Sequence, residues 1–217
     1  MPSPLPLFPL NHALLPAELL PLHIFEPRYR RLLADCLAGD QRFGITTAES
    51  PGPGTIGCVA RIRGTQVMPD GRSNIVVLGE HRFGIRALLE GDAPYLVASV
   101  EEFGDEPGTD PLPAESDALR RLANALRETL GILADQPGDP TPWDEDLETL
   151  TFQVAGLAQL ETATRSSLLA CRSTRERART LATLLPAQIT QLRLRAEVHV
   201  RARSNGAGHP GHDIVHG

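Results

Sequence analysis

The stretch Leu19–Leu37, LLPLHIFEPRYRRLLADCL, leaves the chain little choice. Leu20, Leu22 and Ile24 recur with a period of two, which predicts a half-buried strand. Pro27 fixes its own φ and lacks an N–H, so it suits the first position of a helix, and it pushes Glu26 toward extended geometry. The strand is therefore expected to end at Glu26 and a helix to begin at Pro27. Tyr29, Leu32, Leu33, Cys36 and Leu37 then recur at helical spacing. Arg28, Arg30, Arg31 and Asp35 fill the other side, and Gly39 is a suitable stop. Glu26 is expected to accept free N–H groups at the helix entrance, as a structural tie rather than a general acid or base. His23 faces away from Leu22 and Ile24, as a hydrogen-bonded or solvated histidine does.

Composition excludes more than it selects. At 217 residues the chain suits one or two domains with ample core. No apolar run of eighteen residues exists, so no transmembrane helix is expected, and MPSPLPLFPL lacks the pattern of a signal peptide. Cys36, Cys58 and Cys171 are far apart and no C-x-x-C occurs, which argues against a structural zinc site or a disulfide framework and for a reducing cytoplasm. The chain has no lysine: all 21 Lys+Arg residues are arginine. A lysine-bearing phosphate loop, a serine–lysine dyad and a lysine Schiff base are thereby excluded. The net charge of −6 is uneven, with acids concentrated in residues 87–161 and arginines in 162–203. Acidic and basic helical segments that face each other or solvent account for this, with the arginines of the helical half solvated; an arginine-rich face for nucleic acid is the sharper alternative.

Along the chain, residues 5–10 predict an edge strand at best, because prolines interrupt it. Strands are expected over 42–47, over 56–67 with a bend near Gly64, and over 73–78. Met68–Arg72 forms a hairpin turn, Gly79-Glu80 a further turn, and 81–89 and 95–103 the last strands. Residues 102–113 are acidic, Pro/Gly-rich and without periodicity, the clearest linker. Ala118, Leu119, Leu122, Ala125, Leu126 and Leu130 then form a helical stripe. Thr141-Pro142 is expected to cap a helix carrying Leu147, Leu150, Val154 and Leu157. Thr162 is expected to cap a short helix, and Ser173–Glu176 is a capping-box pattern. Pro186 is expected to kink or restart the last helix. Residues 204–217 form a Gly/His tail, expected to be flexible, in which His209, His212 and His216 bind no metal.

LPLFPLNHALLPAELLPLHIFEPRYRRLL, IGCVARI, PDGRSNIVVLGEHRFGI and PYLVASVE, in this order, resemble the N-terminal substrate-binding domain of Lon-type ATP-dependent proteases, the LON domain family. The resemblance covers residues 5–103 and extends more loosely into the helical part. It departs at Ala17, where the family often has glycine. It implies an α+β fold: a PUA-like β pseudo-barrel with one inserted helix (residues 1–108), followed by a helical bundle (109–203). Glu26, Pro27, Arg28, Gly71, Gly79 and Arg82 fall on the structural motif, and a Glu26–Arg82 ion pair is expected.

The chain carries no ATPase or proteolytic part, so no catalytic residue, cofactor or metal is expected. The resemblance implies a non-catalytic polypeptide-binding or adaptor module, with polypeptide segments or a partner protein as partners, no membrane, and self-association left open. Nucleic acid, through Arg193, Arg195, Arg201 and Arg203, is the alternative, disfavoured by the acidic pI and scarce aromatics. Met68, Pro69, Leu88 and Leu89 are the expected peptide contacts, since each places apolar atoms beside a turn.

Overall fold

A computed structural model of the protein describes residues 3–48, 50–136 and 141–206. The sheet half comprises β1 (Ser3–Pro9), β2 (Leu19–Ile24), α1 (Pro27–Ala38), β3 (Arg42–Thr46), β4 (Ile56–Val67), β5 (Ser73–Leu89) and β6 (Val97–Glu102). The helical half comprises α2 (Pro113–Leu133), α3 (Leu147–Leu157), α4 (Thr162–Ala170) and α5 (Thr174–Gly206). The class is α+β. The six strands form one mixed sheet in the order β2-β5-β4-β3-β1-β6, and β6 also pairs with the far half of β5, which curls the sheet. Only β1 and β3 run parallel.

The corner forms where the proline places it. β2 ends at Ile24, α1 starts at Pro27, and Glu26 occupies the N-cap in extended geometry. The side chain of Glu26 makes no cap hydrogen bond, contrary to expectation; its carboxylate pairs with the Arg28 guanidinium at 2.9 Å, a strong acceptor taken by a charged donor two residues away. α1 buries Tyr29, Leu32, Leu33 and Cys36, and Gly39 closes it by donating to the Cys36 carbonyl. Gly71 takes the left-handed backbone of the hairpin turn at φ 81°, with the Arg30 guanidinium lying across the place of a Cβ.

Three further local expectations fail for physical reasons. β1 is not an edge strand: Ser3–Pro6 pair with β6 and Leu7–Pro9 with β3, so its two halves use different neighbours. Gly79-Glu80 is not a turn but continuous strand within β5. Gly79 is required because a Cβ there would lie 2.1 Å from the carbonyl oxygen of Leu15. The loop before β2 crosses at that point, where Ala17 N–H donates to Gly79 O and Gly79 N–H to Glu18 O. α3 begins at Leu147 rather than Pro142, because Asp146 is the residue whose carboxylate accepts from Thr149 N–H at 2.8 Å. α5 continues through Pro186 rather than restarting there, and the proline lies on the exposed side.

One apolar core joins both halves. Phe8, Leu14, Tyr29, Ile45 and Val77 from the sheet side pack in the same cluster as Leu119, Leu150, Phe152, Leu181 and Leu192 from the helices. A smaller cluster, including Leu7, Val59, Phe83, Ile85 and Val100, fills the curl of the sheet. His209, His212 and His216 lie outside the described residues.

Candidate functional site

Among the described residues β2 is the last strand of the sheet and pairs only with β5, antiparallel and in unbroken register from Leu19↔Leu78 to Ile24↔Ser73. Gly79 N–H donates to Glu18 O across this pairing, which fixes its phase. Alternate residues of an antiparallel strand direct their backbone to the same neighbour. Leu20, Leu22 and Ile24 therefore bond β5, and Leu19, Pro21 and His23 turn theirs to the open edge. Pro21 is tolerated for this reason, since a proline facing β5 would delete a ladder bond. The side chains alternate as well: Leu19, Pro21, His23 and Phe25 are exposed, whereas Ile24 is buried. His23 hydrogen-bonds Asn74 at 2.7 Å and stacks on Phe25, so it is the structural histidine that the sequence suggests.

Beyond this open edge lies a cleft of about 950 Å³. One wall is Pro21–His23 with Phe25; the opposite wall is Leu7–Asn11, the end of β1 past its pairing with β6. Tyr29 closes one end, and the loop Ala93–Leu96 covers another side. The Tyr95 hydroxyl donates to Asp35 at 2.8 Å, which ties that loop to α1. The hydrogen-bond donors of Arg31 and Tyr95 hold the Asp35 carboxyl below its ordinary value, and burial pushes the Tyr95 hydroxyl up to about 12. The formal charges lining the cleft are Glu26 and Arg28, which neutralise each other. A second hollow of about 500 Å³ lies on the outer face of the same edge, over Pro21–His23, Asn74–Val76 and Gly64–Gln66.

The expected contact residues lie elsewhere. Met68 is half-buried and Pro69 exposed at the β4–β5 turn, and Leu88 and Leu89 are exposed at the end of β5. None of the four lines the cleft. The Glu26–Arg82 pair does not form. Arg82, buried to 2%, instead donates to Asp105, to Glu148 at 2.8 Å, and to the carbonyls of Leu169 and Cys171. Nor do Glu80 or Asp35 take it: Glu80 pairs with Arg42 and Arg61, and Asp35 with Arg31. Asp105 is shared. Both its oxygens accept from Arg177, and Thr174 donates to it as well. Burial opposes ionisation of Asp105, but the Arg177 and Thr174 donors outweigh it and hold the carboxyl at about 2. Arg82 and Arg177 also lie over the Phe152 ring.

Arg165 is a third buried cation, and it joins α4 to the loop before β2. It donates two bonds to the Ala13 carbonyl and pairs with Glu18, which also accepts from the Leu15 N–H and lies 3.4 Å from the His12 ring. This loop precedes the wall of the cleft, so Arg165 braces the site from behind. Sequence reasoning missed Arg165 and Arg177 by assigning them to a solvated arginine face. Their phase carries the signal: Arg165 precedes buried Leu168 by three residues and Arg177 precedes buried Leu181 by four. At the far end of α5, Arg193 and Arg201 share a hollow with Glu128 and Glu197, so that face is of mixed charge. Among the described residues no cluster of His, Cys, Asp and Glu could hold a metal, and no helix is long and apolar enough to cross a membrane.

A curled mixed sheet, with an open cleft at a free strand edge whose two formal charges pair with each other, is locked to a helical half by buried arginines. The chain belongs to the family of the ATP-dependent protease La (LON) substrate-binding domain, whose model matches residues 4–187. Similar curated proteins include the Lon protease of Flavobacterium johnsoniae, 25% identical over 94% of this chain, and that of Cytophaga hutchinsonii, 26% identical over 94%. The chain spans about a quarter of the length of these relatives, 26% of each. Among solved structures, a Lon N-terminal domain protein from Xanthomonas campestris superposes with a TM-score of 0.65 at 28% identity, covering 85% of this chain and 99% of that one. The N-terminal domain of the Mycobacterium avium complex Lon protease shares the fold, with a TM-score of 0.60 at 21% identity over 82% of this chain and 96% of that one.

Proposed function

We propose that this chain is a non-catalytic module that binds polypeptide segments in the cleft between β2 and the end of β1. The observation that carries it is the cleft itself: open, of about 950 Å³, with Leu10, Leu22, Phe25 and Leu96 set among polar groups and its one ion pair closed on itself. Membership of a substrate-binding-domain family supports the same assignment. All the residues that line the cleft lie between Leu7 and Leu96, so the sheet half binds and the helical half, from residue 109, acts as a buttress. The sheet corresponds to the PUA-like pseudo-barrel, in support of which β6 pairs with both β1 and β5. Met68, Pro69, Leu88 and Leu89 serve as outlying contacts for longer clients. An adaptor role in a reducing cytoplasm fits three free cysteines, of which Cys36 and Cys58 are buried and their thiols pushed up by burial.

The test is fluorescence anisotropy with labelled, reduced and carboxymethylated lactalbumin, a permanently unfolded protein. Saturable binding is expected. Phe25→Asp and Leu96→Asp, which alter exposed cleft residues, should each weaken it at least about tenfold with melting temperature unchanged, since surface substitutions cost little stability. Binding that is indifferent to both changes, or absent from the native chain, overturns the assignment.

A further inference from the structure

We propose that the occupant of the cleft binds as an added β-strand on the open edge of β2, and that the module thereby selects uncharged, extended segments with apolar residues at alternate positions. This rests on the polypeptide-binding function and states its mode. The backbone phase supplies the first ground. Leu19 and His23 present N–H groups to the open edge, and Leu19, Pro21 and His23 present carbonyls. Only another extended backbone complements such a row, because its donors and acceptors repeat at the same spacing.

The second ground is the pair of hollows flanking this edge. Successive side chains of a strand point to opposite faces. An added strand therefore sends alternate side chains into the 950 Å³ cleft, against Leu22, Leu10 and Tyr95, and the others to the outer face, beside exposed Val76. Charge complementarity is the third ground. Glu26 and Arg28 satisfy each other, so a charged side chain entering the cleft loses its hydration and finds no free counter-charge.

Pro21 sets the register. It removes the central outward donor, leaving those of Leu19 and His23 on either side, and so keeps the edge from recruiting strands indiscriminately. The same feature argues against a second copy of this chain as the occupant, since two β2 edges paired about a two-fold axis would oppose two prolines.

The experiment uses the native chain and three labelled synthetic decapeptides of alternating valine and threonine: one unmodified, and two N-methylated at three successive odd or three successive even positions. Strand addition requires the donors on one side of the peptide only. One methylated peptide should then bind like the parent and the other at least about thirtyfold more weakly. Equal affinity of the two methylated peptides, whether both retained or both lost, overturns strand addition while binding of the parent preserves the broader function. Failure of the parent to bind overturns both. Pro21→Val restores the missing donor and should tighten the parent about fivefold. A dimer of the native chain, seen by sedimentation and dissolved by the parent peptide, would identify a second copy as the natural occupant and overturn the assignment.

Discussion

Asp105→Asn removes one negative charge from between two buried guanidinium groups. In the native protein Arg82 and Arg177 are 2% and 1% exposed and share this carboxylate. The remaining acid, Glu148, reaches only Arg82. Two arguments bracket the cost. The Asp105 carboxyl moves from an ordinary 3.8 to about 2 in the fold, a difference that corresponds to roughly 2.5 kcal/mol. Leaving a buried ion pair without one partner costs about 3–5 kcal/mol in other proteins. A loss of about 3 kcal/mol is therefore expected at pH 7, read as a fall of roughly 1–1.5 M in the urea midpoint. The deficit must also depend on pH. A carboxyl whose folded value is depressed stabilises fully above its unfolded value and loses that contribution as pH falls toward the folded one. The gap between native protein and variant should hence be constant from pH 7 to about 4 and narrow from there toward about 2. A midpoint change under about 0.4 M at pH 7, or a gap that is the same at pH 3 and pH 7, would refute the account of Asp105 as the shared counter-charge.

Other perturbations follow from the same geometry. Glu26→Ala should cost less than about 1 kcal/mol by urea titration, because its pair with Arg28 is solvent-exposed. Gly79→Ala should lower stability by about 3 kcal/mol, since the added carbon strikes the Leu15 backbone. Arg165→Met should cost about 3 kcal/mol by leaving the buried Glu18 carboxylate without its guanidinium and the Ala13 carbonyl without its donor; it should also weaken binding of unfolded lactalbumin by loosening the wall of the cleft. Leu88→Asp and Met68→Asp should leave the melting temperature nearly unchanged, and a weakened affinity for long clients would establish them as contacts. Purified protein should release no phosphate from ATP, measured against a single-residue variant to exclude contaminants.

What the sequence made legible was local. The strand, corner and helix from Leu19 to Ala38 follow from spacing and one proline, because those constraints act between neighbours. The same is true of the continuous spans of β4 and α2. The need of Arg82 for a partner was visible too, as a charge inside an apolar motif. Its partner was not, because Asp105 sits in the stretch whose acidic, Pro/Gly-rich composition marks a linker, and Glu148 lies 66 residues away on α3. Gly79 shows the same limit. Beside Glu80 it has the look of a turn, and only the crossing of the Leu15 backbone explains why no side chain fits. The cleft was illegible for a related reason: the wall at Leu7–Asn11 is open only because β6 stops pairing at Pro6, and the wall at Pro21–Phe25 only because β2 ends the order of strands.

The division of β1 between two partners bears on how the chain reaches its fold during synthesis. Ser3–Pro6 are made before every other strand of the sheet, yet their partner is β6, after the whole of the intervening sheet. The loop before β2 then waits longer still, since Arg165 is 152 residues beyond the Ala13 carbonyl that it holds. Closing such distant contacts places the entropic cost before the reward, which slows folding and leaves unpaired edges exposed meanwhile. A nascent chain halted before residue 165 therefore carries the cleft without its brace, and its own open strands make it a client for protein-binding factors at the ribosome exit.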